Sequence, residues 1–392
     1  MKPRFRSLGW HLSLLGAFLA SARPAHATEW DIDAFARVRY RQSWVSVSPR
    51  LSSLIVEQLP DAKVAAAAVR AVKDTARYND GFELTRADAA LHVQPDPWLQ
   101  GQARIDASRL LRSEQAEQAV RELCGTWTPR PWLAVTAGVF ALPFSLHELM
   151  EQRNFELTDE GPTHRLLEHL GYYGRDTGVM LTLRPRRELA LDVAATAAGA
   201  LGAQDYRGPG LLSARLSASP LPFLELTSAV SARPHALDAW WEELRYRYQA
   251  MDRGIAISNQ AALLFDRWTL RAEWLAGQRT DNDVLIPVAF RRGDARAFAA
   301  LWAMGTARIP FAGFTLVPSG RVEWMDADRD HPDVGELIQM SFGLALDLNP
   351  RVRISSEVQR RVVQPGTLDF DFEVLRYMTD VTSASLQLQL GL

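Results

Sequence analysis

Lysine, cysteine and long apolar runs are scarce in this 392-residue chain, and each scarcity excludes something. Cys124 is the one cysteine, so no intramolecular disulfide can form and a cysteine-type zinc site is ruled out. Past residue 27 the only lysines are Lys63 and Lys73, and no basic patch suggests a nucleic-acid partner. No run of about 18 apolar residues follows the N-terminal region, which excludes helical membrane spans. The nearest approach, LALDVAATAAGALGA from Leu189, holds Asp192 and alternates better than it spirals. Catalytic motifs are missing too. No G-x-S-x-G appears, and GPG at Gly208 to Gly210 reads as a turn. A lipase-type enzyme would need a serine, histidine and acid trio that the sequence does not display. HRLLEH, His164 to His169, would put His164 and Glu168 on one helix face, but it is one residue too long for H-x-x-E-H and has no third ligand. Neither enzyme activity nor a metal or cofactor is expected.

What is present begins with an export signal. MKPRFR supplies a positive start, LGWHLSLLGAFLASA a short apolar stretch, and Ala25-His26-Ala27 a small-x-small cleavage site, so residues 1–27 read as a secretory signal peptide. A retained anchor is the alternative, but the apolar stretch is interrupted by His11 and Ser13 and falls short of the ~20 residues a spanning helix needs. Removing Lys2, Arg4, Arg6 and Arg23 takes the formal charge from −2 to −6 for the mature domain, 28–392.

That domain alternates. In ELIQMSFGLALDLNPRVRISSEVQRRV, Ile338, Met340, Phe342, Leu344, Leu346 and Leu348 alternate with Gln339, Ser341, Gly343, Ala345 and Asp347. After Asn349-Pro350 turns the chain, Val352, Ile354 and Val358 alternate with Arg351, Arg353, Ser355, Glu357 and Gln359. The closing segment TSASLQLQLGL repeats the pattern, with Leu386, Leu388, Leu390 and Leu392 between Gln387, Gln389 and Gly391. About sixteen such strands are expected, roughly 30–47, 82–94, 97–108, 118–128, 132–142, 174–184, 187–199, 210–218, 221–232, 254–266, 268–279, 298–309, 312–327, 335–348, 350–363 and 380–392. Many exceed ten residues, the length that crosses a bilayer at ~45° tilt. Connections alternate strictly between tight turns and long loops. That predicts an all-β fold, a transmembrane antiparallel β-barrel of about 16 strands with short helices in its outer loops, whose last strand pairs with the first near Trp30 to Trp44. A soluble β-rich protein is the alternative. It would have to bury Thr269, Arg271 and Glu273 on one strand and Arg351, Arg353, Glu357 and Arg361 on another, which unpaired charge forbids.

The stretch Pro129 to Leu181 resembles the phosphate-selective porin family of outer membranes. The matching residues are Gly138, Phe140, Pro143, Phe144, Ser145 and Leu146 before a long loop, then Gly174, Arg175, Asp176, Gly178 and Val179 opening the next strand. GFELTRADAAL from Gly81 and GLALDLNPRVRISSEVQ from Gly343 resemble an early and a penultimate strand of the same family. The resemblance implies a sixteen-stranded, trimeric porin, either general-diffusion or substrate-selective. Three features depart from it: lysine clusters are missing, the chain ends on Leu392 where an aromatic residue is usual, and LPDAKVAAAAVRAVKDTARY, Leu59 to Tyr78, reads as a helical insertion within outer loop 1, 48–81.

A barrel of this size leaves an aqueous channel, so passive diffusion of small charged solutes is the expected function. A phosphate- or anion-selective channel and a non-conducting structural or surface-display barrel are the alternatives. The expected partners are outer-membrane lipid, the solutes, the barrel-assembly machinery and two further copies of the chain. Alternation puts Arg37, Arg39, Arg41, Arg104, Arg271, Arg321, Arg351, Arg353 and Arg361 on the lumen side, with Asp31, Asp33, Asp106, Asp192, Glu225, Glu273, Glu323, Asp347 and Glu357. The loop 143–173, third of the outer loops, is the candidate constriction, as the resemblance implies. It carries Glu148, Glu151, Glu156, Asp159, Glu160 and Glu168 against Arg153 and Arg165. Folded inward, it would favour cations weakly over anions.

Overall fold

In the computed structural model the described residues are 29–46, 63, 66–67, 70, 80–110, 119–146, 157, 161–169, 171–172, 174–197, 210–234, 237–241, 246–251, 254–280, 295–326, 329, 336–364 and 380–391. The strands are β1 (Glu29–Ser46), β2 (Gly81–Asp96), β3 (Leu99–Asp106), β4 (Val120–Arg130), β5 (Leu133–Ala141), β6 (Arg175–Arg186), β7 (Leu189–Thr196), β8 (Leu211–Leu221), β9 (Leu224–Arg233), β10 (Leu237–Trp241), β11 (Tyr246–Met251), β12 (Gly254–Leu264), β13 (Trp268–Thr280), β14 (Ala295–Ala307), β15 (Ile309–Phe311), β16 (Phe314–Asp326), β17 (Glu336–Asn349), β18 (Val352–Gln364) and β19 (Asp380–Gly391). Two short helices, α1 (Ala107–Leu110) and α2 (Pro162–His169), lie in connections.

Every neighbouring pair is antiparallel, and β19 pairs with β1 from Phe35↔Gly391 to Ser46↔Asp380, which closes the sheet. β15 continues β14 past Arg308, and both pair with β16, so the closed sheet is a sixteen-stranded barrel. Each of the sixteen strands read from period-two alternation is there. The hairpin β10–β11, in the connection between β9 and β12, pairs only with itself and escapes the alternation pattern.

One end of the barrel carries all the tight turns. At the β15–β16 turn, Ala312 (φ 39°) and Gly313 (φ 93°) both adopt the left-handed conformation of a type I′ hairpin, whose twist matches the strands it joins. The long connections gather at the opposite end. In the first of them, Lys63, Ala66, Ala67 and Arg70 are helical, and the rest of 47–79 lies outside the described residues.

The two faces of the wall differ as the pleat requires. On β19, Leu386, Leu388 and Leu390 are exposed at 55%, 41% and 49%, whereas Ser383 and Gln387 are each buried to 2%. Leu344 and Ile354 share the outward face with them, and Ser341 the inward one. Aromatic residues edge the apolar band. Trp30, Trp98, Trp127, Trp132, Phe223, Phe265, Trp268 and Phe311 are exposed within a few residues of the tight-turn end. Tyr40, Trp44 and Phe82 are exposed toward the other end, where the Tyr40 and Phe82 rings lie 4.9 Å apart. An apolar belt between two aromatic girdles is a lipid-facing surface.

Two glycines of the Pro129–Leu181 stretch have a steric reason to be there. Gly138 and Gly178 are register partners across β5 and β6. A Cβ on Gly138 would collide with the Leu123 carbonyl, and one on Gly178 with the Ala195 carbonyl. Adjacent strands approach too closely at both positions for any other residue.

Candidate functional site

The inner wall is polar and mostly buried, and it divides into two sectors. The first spans β18, β19, β1 and β2. Arg37, Arg39 and Arg41 climb the inner face of β1, exposed at only 6%, 8% and 8%. Strand register aligns Arg353, Gln389, Arg37 and Arg86 in one row across the four strands. Four of these guanidinium groups meet a polar partner within the wall. Arg37 donates to Gln389 Oε1 at 3.0 Å, Arg39 pairs with Glu83 at 3.0 Å, and Arg86 with Asp88 at 2.7 Å. Arg353 grips Asp347 in a two-pronged contact at 2.5 and 3.0 Å. The wall continues on β3 and β4, where Glu122 takes Arg104 at 3.6 Å and Arg175 at 3.3 Å.

The second sector spans β12, β13, β14 and β16, and described residues of the third outer connection, 142–174, lie against it. Glu273 on β13 is 1% exposed and accepts five donors: Ser258 Oγ at 2.7 Å, Trp302 Nε1 at 2.9 Å, Gln260 Nε2 at 3.2 Å, Ser145 Oγ at 3.2 Å and the Leu146 N–H at 3.3 Å. The last two come from the connection. Leu157 is fully buried against Trp302 and Met304 of β14, with Leu146 beside them. Glu323 on β16 accepts the Thr163 N–H at 2.5 Å in the first turn of α2, where unpaired amides and the helix dipole favour an anion, and pairs with Arg321 at 3.7 Å. The connection leaves by Tyr172, whose hydroxyl donates to the Gln278 carbonyl at 3.4 Å and whose ring lies 5.1 Å below Arg233. Burial pushes the Tyr172 phenol up, against the pull of Arg233, so it stays a neutral donor.

Among the expected lumen arginines, Arg37, Arg39, Arg41 and Arg353 come together in the first sector. Arg271 and Arg321 flank Met304 in one row of the second, and Arg361 on β18 aligns with Gln339 of β17. Arg104 faces Glu122 further round the wall. Arg351 departs from the expectation. It is exposed in the turn between β17 and β18, because the Asn349 side chain accepts the Arg351 N–H at 2.8 Å and extends the turn by a residue. It stands at the mouth, off the wall. Glu148, Glu151, Arg153, Glu156, Asp159 and Glu160 lie outside the described residues, as does the segment 1–27.

Sequence reasoning missed Arg86, Asp88 and Arg121, all buried on the inner wall. A bulge in the β1–β2 pairing between Arg37 and Val38 leaves Thr85 without a partner, and its hydroxyl donates to the Arg37 carbonyl at 3.1 Å. Such a bulge inverts the parity of every later residue, so Arg86 and Asp88 turn inward. A second bulge, between β3 and β4, leaves Arg121 out of the ladder. Trp302, Ser258 and Gln260 were equally invisible as partners of Glu273, since nothing local marks which residues a distant loop will meet.

Among the described residues, no three His, Cys, Asp or Glu side chains gather as metal ligands. No model of a known protein family matches the chain, and no curated protein does. Solved structures do. The fold is similar to the outer-membrane channel DcaP of Acinetobacter baumannii, at 11% identity and a TM-score of 0.55 over 93% of this chain and 98% of that one. An anion-selective porin from Comamonas acidovorans gives 8% identity and a TM-score of 0.53 over 93% and 100%. A trimer form of OmpT, an outer membrane protein of Vibrio cholerae, gives 8% and 0.55 over 94% and 100%. The barrel therefore has the fold of the outer-membrane porins.

Proposed function

We propose that this chain is an outer-membrane porin, a water-filled channel for passive diffusion of small charged solutes, exported by residues 1–27 acting as a signal peptide. The observation that carries the reading is the inner wall. Guanidinium and carboxylate groups line the inner face of a closed barrel whose exterior is an apolar band, an arrangement that suits a polar, water-filled interior. The third outer connection, whose described residues rest on the β12–β16 sector, would narrow the lumen from one side, and its sequence carries Glu148, Glu151, Glu156, Asp159 and Glu160 against Arg153. The arginines of the opposite sector supply the facing wall. Carboxylates partner Arg39, Arg86, Arg104 and Arg353, so the wall's net field is small and ion preference is weak. The trimeric neighbour supports a homotrimer, assembled with the barrel-assembly machinery.

A second reading, an anion-selective channel, draws on the aligned row of Arg353, Arg37 and Arg86. Planar-bilayer recording tests both. Stepwise conductance with a reversal potential near zero across a salt gradient supports the weakly selective porin. A strongly anionic reversal potential selects the second reading, and absence of conductance from correctly folded protein refutes both.

A further inference from the structure

We propose that Glu273 and Glu323 are positioning residues, two carboxylates that fasten the third outer connection along one row of the inner wall and thereby set the width of the open channel. The last clause rests on the porin reading above. The row is defined by strand register. Gln260 faces Glu273, Glu273 faces Trp302, and Trp302 faces Glu323 across β12, β13, β14 and β16.

The connection meets these residues in its own chain order. The Phe144 carbonyl accepts from Gln260 at 3.1 Å, then Ser145 and Leu146 donate to Glu273 at 3.2 and 3.3 Å. Leu157 packs on Trp302, and Thr163 donates to Glu323 at 2.5 Å. Four contacts in matching order lay the segment across the strands, with carboxylates on both sides of an apolar contact. At Gly161, φ is +92° and a Cβ would press into the carboxylate of Glu323 and the guanidinium of Arg321. The backbone itself approaches the second anchor.

Neither carboxylate serves the ion path. Glu273 is 1% and Glu323 2% exposed, so their charge is spent on donors. A buried carboxylate is stable only when its lone pairs are met, which makes the attachment reciprocal. Removing Glu273 takes one acceptor from Ser145, Leu146, Ser258, Gln260 and Trp302 together. Stripping the connection's donors leaves the carboxylate short by two of five.

The test compares Glu273→Ala, Glu273→Gln and the double variant Ser145→Ala with Leu146→Pro, which removes both donors of the connection and leaves every barrel residue in place. Single-channel recording and liposome swelling with sugars of increasing size are the readouts, on protein shown by heat-modifiable migration to be folded. A steady level is expected for the unmodified chain. Higher conductance, flicker and a larger sugar limit are expected for Glu273→Ala and the double variant, with Glu273→Gln between because it keeps one acceptor oxygen. Folded variants with unaltered conductance, noise and size limit would overturn the proposal. Should the unmodified chain not conduct, the porin reading fails, and the anchoring is judged by tryptic cleavage after Arg153 and Arg165. Faster cleavage in both unfastened variants upholds it, and equal rates overturn it.

Discussion

On β18, β19, β1 and β2 the inner wall holds its charges for itself, with Arg37, Arg39, Arg86 and Arg353 each meeting a carboxylate or amide of the wall. On β12, β13, β14 and β16 the carboxylates instead reach off the wall and accept from the third connection. The residue types are the same in both sectors, and the difference lies in whether a second layer of chain covers them. Arg39 with Glu83 is a pair within the wall, whereas Glu273 is shared between wall and connection. A charged residue in a barrel lumen can thus act as lining or as anchorage, and its partners decide which.

The largest expected effect tests the frame both sectors share. An arginine at Leu388, outward on β19, should cost about 2–4 kcal/mol near the bilayer midplane. Ser385→Arg, inward on the same strand and aligned with Glu357, should cost measurably less. Denaturant unfolding in lipid vesicles, followed by tryptophan fluorescence, checks the pair. Equal costs would mean that the two faces are misassigned.

Gly161→Ala sharpens the covered sector. An alanine at φ +92° carries strain of about 1–3 kcal/mol and crowds Glu323. The expected outcome is faster tryptic cleavage of the third connection with the barrel's own unfolding midpoint unchanged. A lowered midpoint would show that the connection and the wall unfold as one.

Selectivity gives the smallest effect and probes the uncovered sector. Replacing Arg37, Arg39 and Arg41 by glutamine takes the Arg39 guanidinium from Glu83, and Arg353→Gln takes the closer of two guanidinium groups from Asp347, so both should move the reversal potential toward cations. The shift should grow as salt falls, because the screening length lengthens from about 3 Å at 1 M to about 30 Å at 0.01 M. Arg351→Gln, exposed in its turn, should move it least. A larger shift at Arg351 than at Arg353 would place the filter at the mouth.

Much of the fold was legible because a strand's side chains alternate with period two, and in a barrel one face meets lipid and the other water. Leu344, Ile354 and Leu388 therefore announce their side with no knowledge of neighbours, and the alternation of tight turns with long connections orders the strands. Local chemistry blurred the boundaries. Asn349 carries the turn as far as Arg351, and the bulge at Thr85 reversed the parity on which Arg86 and Asp88 depended. The β10–β11 hairpin left no periodic trace that distinguished it from loop.

Pattern along the chain determined the strand count, the lipid face and most of the inward charges, since each follows from the spacing of near neighbours. The tertiary structure alone decided what those charges touch. Glu273 meets Ser145 across 128 positions and Thr163 meets Glu323 across 160, and no periodicity in sequence encodes a contact between a loop and a wall so far apart. Only closing the barrel brings them within hydrogen-bonding distance, and only there does burial make the satisfaction of each carboxylate compulsory.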